Sequence, residues 1–246
     1  MEKKEMIFGT RAVMEAILAG QEIEKILIQS SLTNDLIKEL ITVAKRNGVP
    51  FTFAPQEKLN RLSSKNHQGV ICLLSAVRYA SLDNLVDKAY TEGREPFFLV
   101  LDRVTDVRNF GAVARTAECA GIDAIVIAEK GNAPITGDAM KTSAGALNYL
   151  PVCREPDLLE AITKLKENGI QIVACTEKAD KTIYEIDLTV PTALMFGSEE
   201  DGISPQLLNE ADIRAKIPLK GNIGSLNISV AAGITIYEVI RQKNYK

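Results

Sequence analysis

The chain is poor in the residues that most often carry metal or nucleophilic chemistry. It has one histidine, His67. A His-rich metal centre is therefore not expected, and a Ser-His-Asp relay would have to run through that one ring. In the stretch NHQG, His67 reads as a turn residue. The four cysteines, Cys72, Cys119, Cys153 and Cys175, are far apart and form no CxxC pair. That spacing argues against a zinc site or a disulfide framework, and buried reduced thiols are the expectation. No apolar run is long enough to cross a bilayer. The opening stretch MEKKEMIFGT has charges but no following apolar segment of signal type, so a cytoplasmic protein without a membrane partner is expected. There is no excess of positive charge either: the formal net charge is −3. Any attraction to nucleic acid must come from a local patch and not from the field of the whole protein. No GxGxxG follows the first strand of either half, which disfavours a nucleotide-dependent oxidoreductase of Rossmann type.

What is present is a globular composition, 46% hydrophobic and 25% charged over 246 residues. That suits one or two domains with a real core. Residues 1–76 read as a small α/β unit. GTRAVMEAILAG has helical apolar spacing, and NDLIKELITVAKRNG has an Asn cap and a Gly stop. EKILIQ, VPFTF and GVICLLSAV read as strands, and PQEKLNRLS as a short helix. This segment has a formal charge of +2 and the remainder −5, a slight preference for the first segment as an RNA-facing module. Residues 77–95 are polar, carry no strong strand signal, and read as a linker with room for a short helix. From residue 96 strands and helices alternate, which predicts an α/β domain (96–246) with a mostly parallel sheet and helices on both faces. Ligands in such sheets sit at the carboxyl ends of the strands.

Three loops after strands stand out. In LDRVTDVRNFGAVARTAECAG, Asn109 can cap a helix, and Gly111 and Arg115 lie one turn apart with space left beside the arginine. Arg115 either pairs with Glu118 on the solvated face or holds phosphate or ribose in a cleft. In LMFGSEEDGIS, a buried strand ends at Gly197, where a missing side chain permits close approach of a ligand. Glu199, Glu200 and Asp201 match no calcium-loop spacing, and no metal is expected. In AKIPLKGNIGSLNISVAAGITIYE, the strand ends near Ile217 and the helix begins at Ser225 to Asn227. Ser225 can be its N-cap, whereas Asn227 and Ser229 need partners if buried.

Together these segments resemble the three motifs of the SpoU (TrmH-like) family of RNA 2′-O-ribose methyltransferases, in the SPOUT superfamily. Asn109, Gly111, Ala112, Arg115 and Thr116 match the first motif. Gly197, Glu199 and Gly202 match the second, and Ile217, Pro218, Ser225, Leu226, Asn227, Ser229 and Ala231 the third. IFGTRAVMEAIL and NHQGVIC resemble the small RNA-binding domain of bacterial enzymes that methylate a guanosine ribose in 23S rRNA; that domain has a ribosomal-protein-like fold. The resemblance implies a C-terminal trefoil knot, a homodimer, an RNA substrate and S-adenosyl-L-methionine as cofactor. It implies cofactor contacts at Gly197, Ile217, Leu226, Thr176, Met195 and Ser225, and catalytic roles for Arg115, Asn109, Glu199, Asn227 and Ser225.

Methyl transfer to a ribose hydroxyl is an in-line displacement, and alignment alone can lower such a barrier by about 7–11 kcal/mol at best. The family proposal makes Arg115 the proton acceptor. A guanidinium, with a pKa above about 12, resists that role. An electrostatic clamp on the phosphate and developing alkoxide suits Arg115 better, with Glu199 or a phosphate oxygen taking the proton. Asn109, Ser225 and Asn227 would orient the reactants. The rival readings are a tRNA ribose methyltransferase and a non-catalytic RNA-binding or ribosome-assembly factor.

Overall fold

The computed structural model describes residues 6–244; the charged start of the chain, residues 1–5, lies outside them. The chain divides into two compact units. One runs to Arg78 and takes in Pro134–Gly137, and the other comprises Tyr79–Ala133 and Asp138 onward.

The first unit contains β1 (Met6–Phe8), α1 (Thr10–Leu18), β2 (Ile23–Gln29), α2 (Asp35–Arg46), β3 (Phe51–Ala54), α3 (Gln56–Leu62) and β4 (Val70–Leu74). Its sheet runs β1-β4-β2-β3. Alternation along β2 supplies both faces. Ile26 and Ile28 pack with Val13, Ile17 and Leu40 of the first two helices, while Leu27 packs with Leu59 of α3. The expected cap of α2 is present: Asn34 Oδ1 accepts from the Ile37 N–H at 3.0 Å. His67 is a satisfied turn residue. Its Nδ1 accepts the Gly69 N–H at 3.0 Å, so Nε2 carries the proton it gives to Asn60 Oδ1 at 2.9 Å.

The second unit contains β5 (Tyr79–Ala80), α4 (Leu82–Thr91), β6 (Phe97–Leu101), α5 (Val107–Cys119), β7 (Ala124–Ala128), α6 (Gly137–Thr142) and β8 (Val152–Glu155). It continues with α7 (Leu158–Glu167), β9 (Gln171–Cys175), β10 (Lys181–Thr182), β11 (Thr192–Phe196), α8 (Pro205–Glu210), β12 (Ile213–Lys216) and α9 (Ile228–Asn244). Eight strands in the order β10-β12-β9-β11-β6-β7-β8-β5 form one sheet. Every pairing in it is parallel. The central strands are buried throughout, FFLVL and TALMF alike, as a sheet covered on both faces requires. Residues of α4, α7 and α8 share one core cluster with alternate residues of the strands, Phe98, Val100, Ile172 and Met195 among them. Helix α9 packs against α5 and β11. Near its C-terminal end, Glu238 holds Arg241 through two hydrogen bonds of 2.7 and 2.8 Å. The arginine keeps that carboxyl below its usual range. Gln242 extends the anchor to the Leu188 N–H and the Ile186 carbonyl.

Residues 77–95 are not a free linker. Tyr79 and Ala80 pair with Val152 and Cys153 at the edge of the large sheet. Ser81 caps α4, which buries Leu82, Val86 and Ala89. The polar residues that suggested a linker are the solvated face of an amphipathic helix. Leu82→Ala is expected to destabilise the protein by about 2–5 kcal/mol, read as a lower denaturant midpoint. An unchanged midpoint would return this segment to a linker role.

Candidate active site

The loops that follow β6, β9, β11 and β12 lie at the carboxyl edge of four adjacent strands. Helix α5 starts after the first of them. Its cap is Asp106, not Asn109: Asp106 Oδ1 accepts from the Arg108 N–H at 2.7 Å and the Asn109 N–H at 3.1 Å. Asn109 is thereby the third residue of the helix, with its side chain free for other work. Helix α9 is capped by Asn227, not Ser225. Asn227 Oδ1 accepts from the Ser229 N–H at 2.9 Å and the Ser229 hydroxyl at 2.6 Å.

This cap decides the orientation of everything beside it. With Oδ1 committed as acceptor, the Asn227 Nδ2 must donate. It gives hydrogen bonds to Asn109 Oδ1 at 3.0 Å and to Glu199 Oε1 at 3.2 Å. Asn109 Oδ1 is then the acceptor, and its own Nδ2 donates to Glu199 Oε1 at 2.6 Å. Three loops, distant in sequence, converge on one carboxylate oxygen. Glu199 Oε2 accepts no hydrogen bond among the described residues and is available to a substrate. Of the other acids in this loop, Asp201 is taken by Arg103 at 3.2 Å.

Two glycines are required by the packing of the chain on itself. A Cβ on Gly197 would run into the backbone of Gly202 and Ile203. The space is filled by the chain itself, which folds back so that Ser198 and Gly202 exchange backbone hydrogen bonds of 3.1 and 3.0 Å. A Cβ on Gly111 would strike Thr142 and the Ser143 nitrogen. The room expected beside Arg115 is used to seat the end of α6.

A cavity of about 680 Å³ opens beside this cluster. Thr176, Gly197, Ile217, Ser225 and Leu226 line it, with Glu199 and Asn227 on its wall. Met195 does not: it is fully buried in the core of β11 between β6 and β9. A smaller cavity of about 300 Å³ shares residues 198–201 and adds Arg103, Thr105 and Asn109. The loop after β11 therefore separates two chambers.

Arg115 is not brought to this cluster. It is exposed, lines neither cavity, and makes no ion pair with Glu118 or any other described residue. Helical geometry gives the reason: six residues place Arg115 about 240° around α5 from Asn109. Sequence reasoning also missed Cys175, Phe196 and Ile228, which line the larger cavity, and Arg103. Phe196 and Cys175 end strands that lie side by side with β12 and β6 in the sheet, a relation that strand order reveals and sequence order hides.

Comparison with known proteins gives a consistent result. Residues 96–237 match the SpoU rRNA Methylase family, and residues 6–80 match the RNA 2′-O ribose methyltransferase substrate binding domain. A candidate TrmH family tRNA/rRNA methyltransferase of Bacillus subtilis, YacO, is 32% identical over 99% of this chain and 98% of its own. A candidate TrmH family tRNA/rRNA methyltransferase of Staphylococcus saprophyticus is 36% identical over 98% and 96%. Among solved structures, the AdoMet-bound rRNA methyltransferase from Sinorhizobium meliloti shares the fold with a TM-score of 0.60 at 24% identity, covering 98% of this chain and 88% of that one. The A. aeolicus TrmH/SpoU tRNA modifying enzyme aligns with a TM-score of 0.56 at 28% identity over 65% and 84%.

Gly197→Ala is expected to push the 198–202 turn off the strand end, at a cost of about 1–3 kcal/mol as an overpacked contact. The check is the melting temperature together with amide exchange at Ser198 and Gly202. Unchanged exchange would mean that the turn does not depend on this close approach.

Proposed function

Because the chain belongs to the SpoU family of RNA methylases, we propose that it transfers the methyl group of S-adenosyl-L-methionine to a ribose 2′-hydroxyl in 23S rRNA, at a guanosine, in the cytoplasm. The observation that carries this reading is the meeting of Asn109, Glu199 and Asn227 beside a cavity at the strand ends. Its volume falls in the range of small-ligand sites. The lining suits an adenosine: apolar Phe196, Ile217 and Leu226 for a ring, backbone at Gly197 and Gly224, and hydroxyls at Thr176 and Ser225. Those residues would hold the cofactor, which when bound supplies an electrophilic methyl carbon on a sulfonium.

The protein's part is orientation and proton handling. Two amide donors on Oε1 hold the Glu199 carboxylate in one pose and leave Oε2 to take the proton of the ribose hydroxyl. Asn109 and Asn227 fix that pose, and Ser225, exposed on the cavity wall, would orient the ribose. The small unit, with its slight positive balance, would hold the RNA. A trefoil-knotted path of the chain through the loops at 197–204 and 217–227 belongs to the same reading.

Arg115 enters this reading from a second copy of the chain. Helix α9 exposes Val230 and Tyr237 beside α5, an apolar face that a homodimer would cover. In such a pair Arg115, free in its own subunit, would clamp phosphate or alkoxide in the partner's site.

The test is transfer of labelled methyl from S-adenosyl-L-methionine to unmodified 23S rRNA and to bulk tRNA. Label in rRNA is expected. Label in tRNA alone, an outcome that the tRNA/rRNA names of the relatives leave open, would overturn the substrate. Cofactor binding without transfer to either would favour an assembly factor. Glu199→Gln should lower kcat by roughly 10²–10⁴-fold as loss of a general base. For the dimer, Arg115→Ala and Asn227→Ala should each be inactive. Mixed and reassociated, they should regain about a quarter of wild-type activity, since half the dimers carry one intact composite site. No recovery would place Arg115 in its own subunit's site.

A further inference from the structure

The loop that presents Glu199 has few ties to the rest of the molecule. Within it, Ser198 and Gly202 exchange backbone hydrogen bonds, and Ser198 Oγ accepts the Asp201 N–H at 3.0 Å. These close the loop on itself but do not place it. Among the described residues, only three side chains outside the loop hydrogen-bond to it. Two are Asn109 and Asn227, and both end on Glu199 itself. The third is Arg103, just past the end of β6.

Arg103 makes four contacts. Its Nη1 donates to Asp201 Oδ2 at 3.2 Å and its Nη2 to the Gly202 carbonyl at 3.0 Å. Its Nε and Nη2 also donate to the two oxygens of Asp102, at 3.2 and 3.3 Å. Asp102 is nearly buried, and its Oδ2 accepts the Ser204 N–H at 2.7 Å, just past the loop. The fork of one guanidinium thus joins the strand end to the far side of the Glu199 loop. The backbone at Arg103 has φ of +57°, a conformation that glycine adopts freely and that a β-carbon disfavours. Glycine would suit the turn better, so the side chain must offset its backbone cost. The next residue is pinned as well, by a hydrogen bond from the Val104 N–H to Asn132 Oδ1 at 3.1 Å.

We propose that Arg103 is a positioning residue for the methyl transfer: it sets the 198–202 loop, and hence Glu199 Oε2, through Asp201 and the Gly202 carbonyl, independently of the Asn109 and Asn227 contacts. The proposal rests on the transfer reading above. Arg103 also lines the smaller cavity, so the same fork that fixes the loop forms part of the wall of that chamber. Its effect on chemistry acts through the carboxylate that it holds in register.

The experiment compares wild type with Arg103→Gly and Arg103→Lys. Glycine removes the fork while relaxing the backbone, so the melting temperature should change little. Amide exchange at Ser198, Asp201 and Gly202 should quicken, with exchange elsewhere in the second unit unchanged. With rRNA as substrate, kcat should fall by roughly ten- to a hundred-fold, the scale of a small misplacement of reacting groups, while KM for RNA stays nearly constant. Lysine keeps the charge but cannot reach Asp102, Asp201 and the Gly202 carbonyl together; it should restore only part of kcat. Wild-type kcat or unchanged loop exchange in the glycine variant would overturn the proposal. So would a rise in KM without a fall in kcat, which would make Arg103 an RNA contact, or faster exchange throughout the unit, which would make it a general support. If the wild-type protein transfers no methyl to any RNA, the transfer reading fails, and the exchange measurement alone decides whether Arg103 holds the loop.

Discussion

The site depends on a single helix cap. Asn227 closes the N-terminus of α9 with its carbonyl oxygen, as Asn does at many helix starts. In doing so it points its amide nitrogen the other way, at Asn109 and Glu199. Reversing that amide would set oxygen against oxygen at both contacts and leave Ser229 without its acceptor. The geometry of the carboxylate is therefore locked by an interaction whose first purpose is to satisfy orphan backbone N–H groups.

The parallel sheet supplies the remaining constraint. Strands β6, β11, β9 and β12 stand side by side and all run the same way. Their carboxyl ends bring together loops that are far apart along the chain. Antiparallel strands would have sent half of these loops to the opposite edge. The core fixes where each strand stops. Met195 and Phe196 are buried, and at Gly197 the chain turns back upon itself because nothing larger would fit there. The cavity begins where the apolar run ends.

Much of this was legible in the sequence. The alternation of apolar runs gave the strands, and the resemblance of three short motifs gave the family and part of the cavity lining. Local partners were not legible. Asp106 and Asn109 both suit a cap, and only the three-dimensional path decides which one takes the N–H groups. Gly111 and Gly197 were read as openings, but a sequence does not say whether a gap faces a ligand or another stretch of the same chain. Met195 alternates with true lining positions, and a strand sends neighbouring side chains to opposite faces. The segment at 77–95 looked like a linker because a helix with one buried stripe is mostly polar in composition. Arg103 carried no signal, since a left-handed arginine looks like any other in a sequence.

The cap has a consequence for the order of events in synthesis. Asn109, Glu199 and Asn227 span nearly half the chain, and Asn227 is the last of the three to be made. The residues that open the site are made first, and the one that orients them follows. Contacts so distant in sequence form late in folding, after the strands that flank them have found their places. A nascent or prematurely terminated chain would contain the whole of α5 and the Glu199 loop without a pre-set carboxylate. Competence for chemistry thus waits for the first turn of α9.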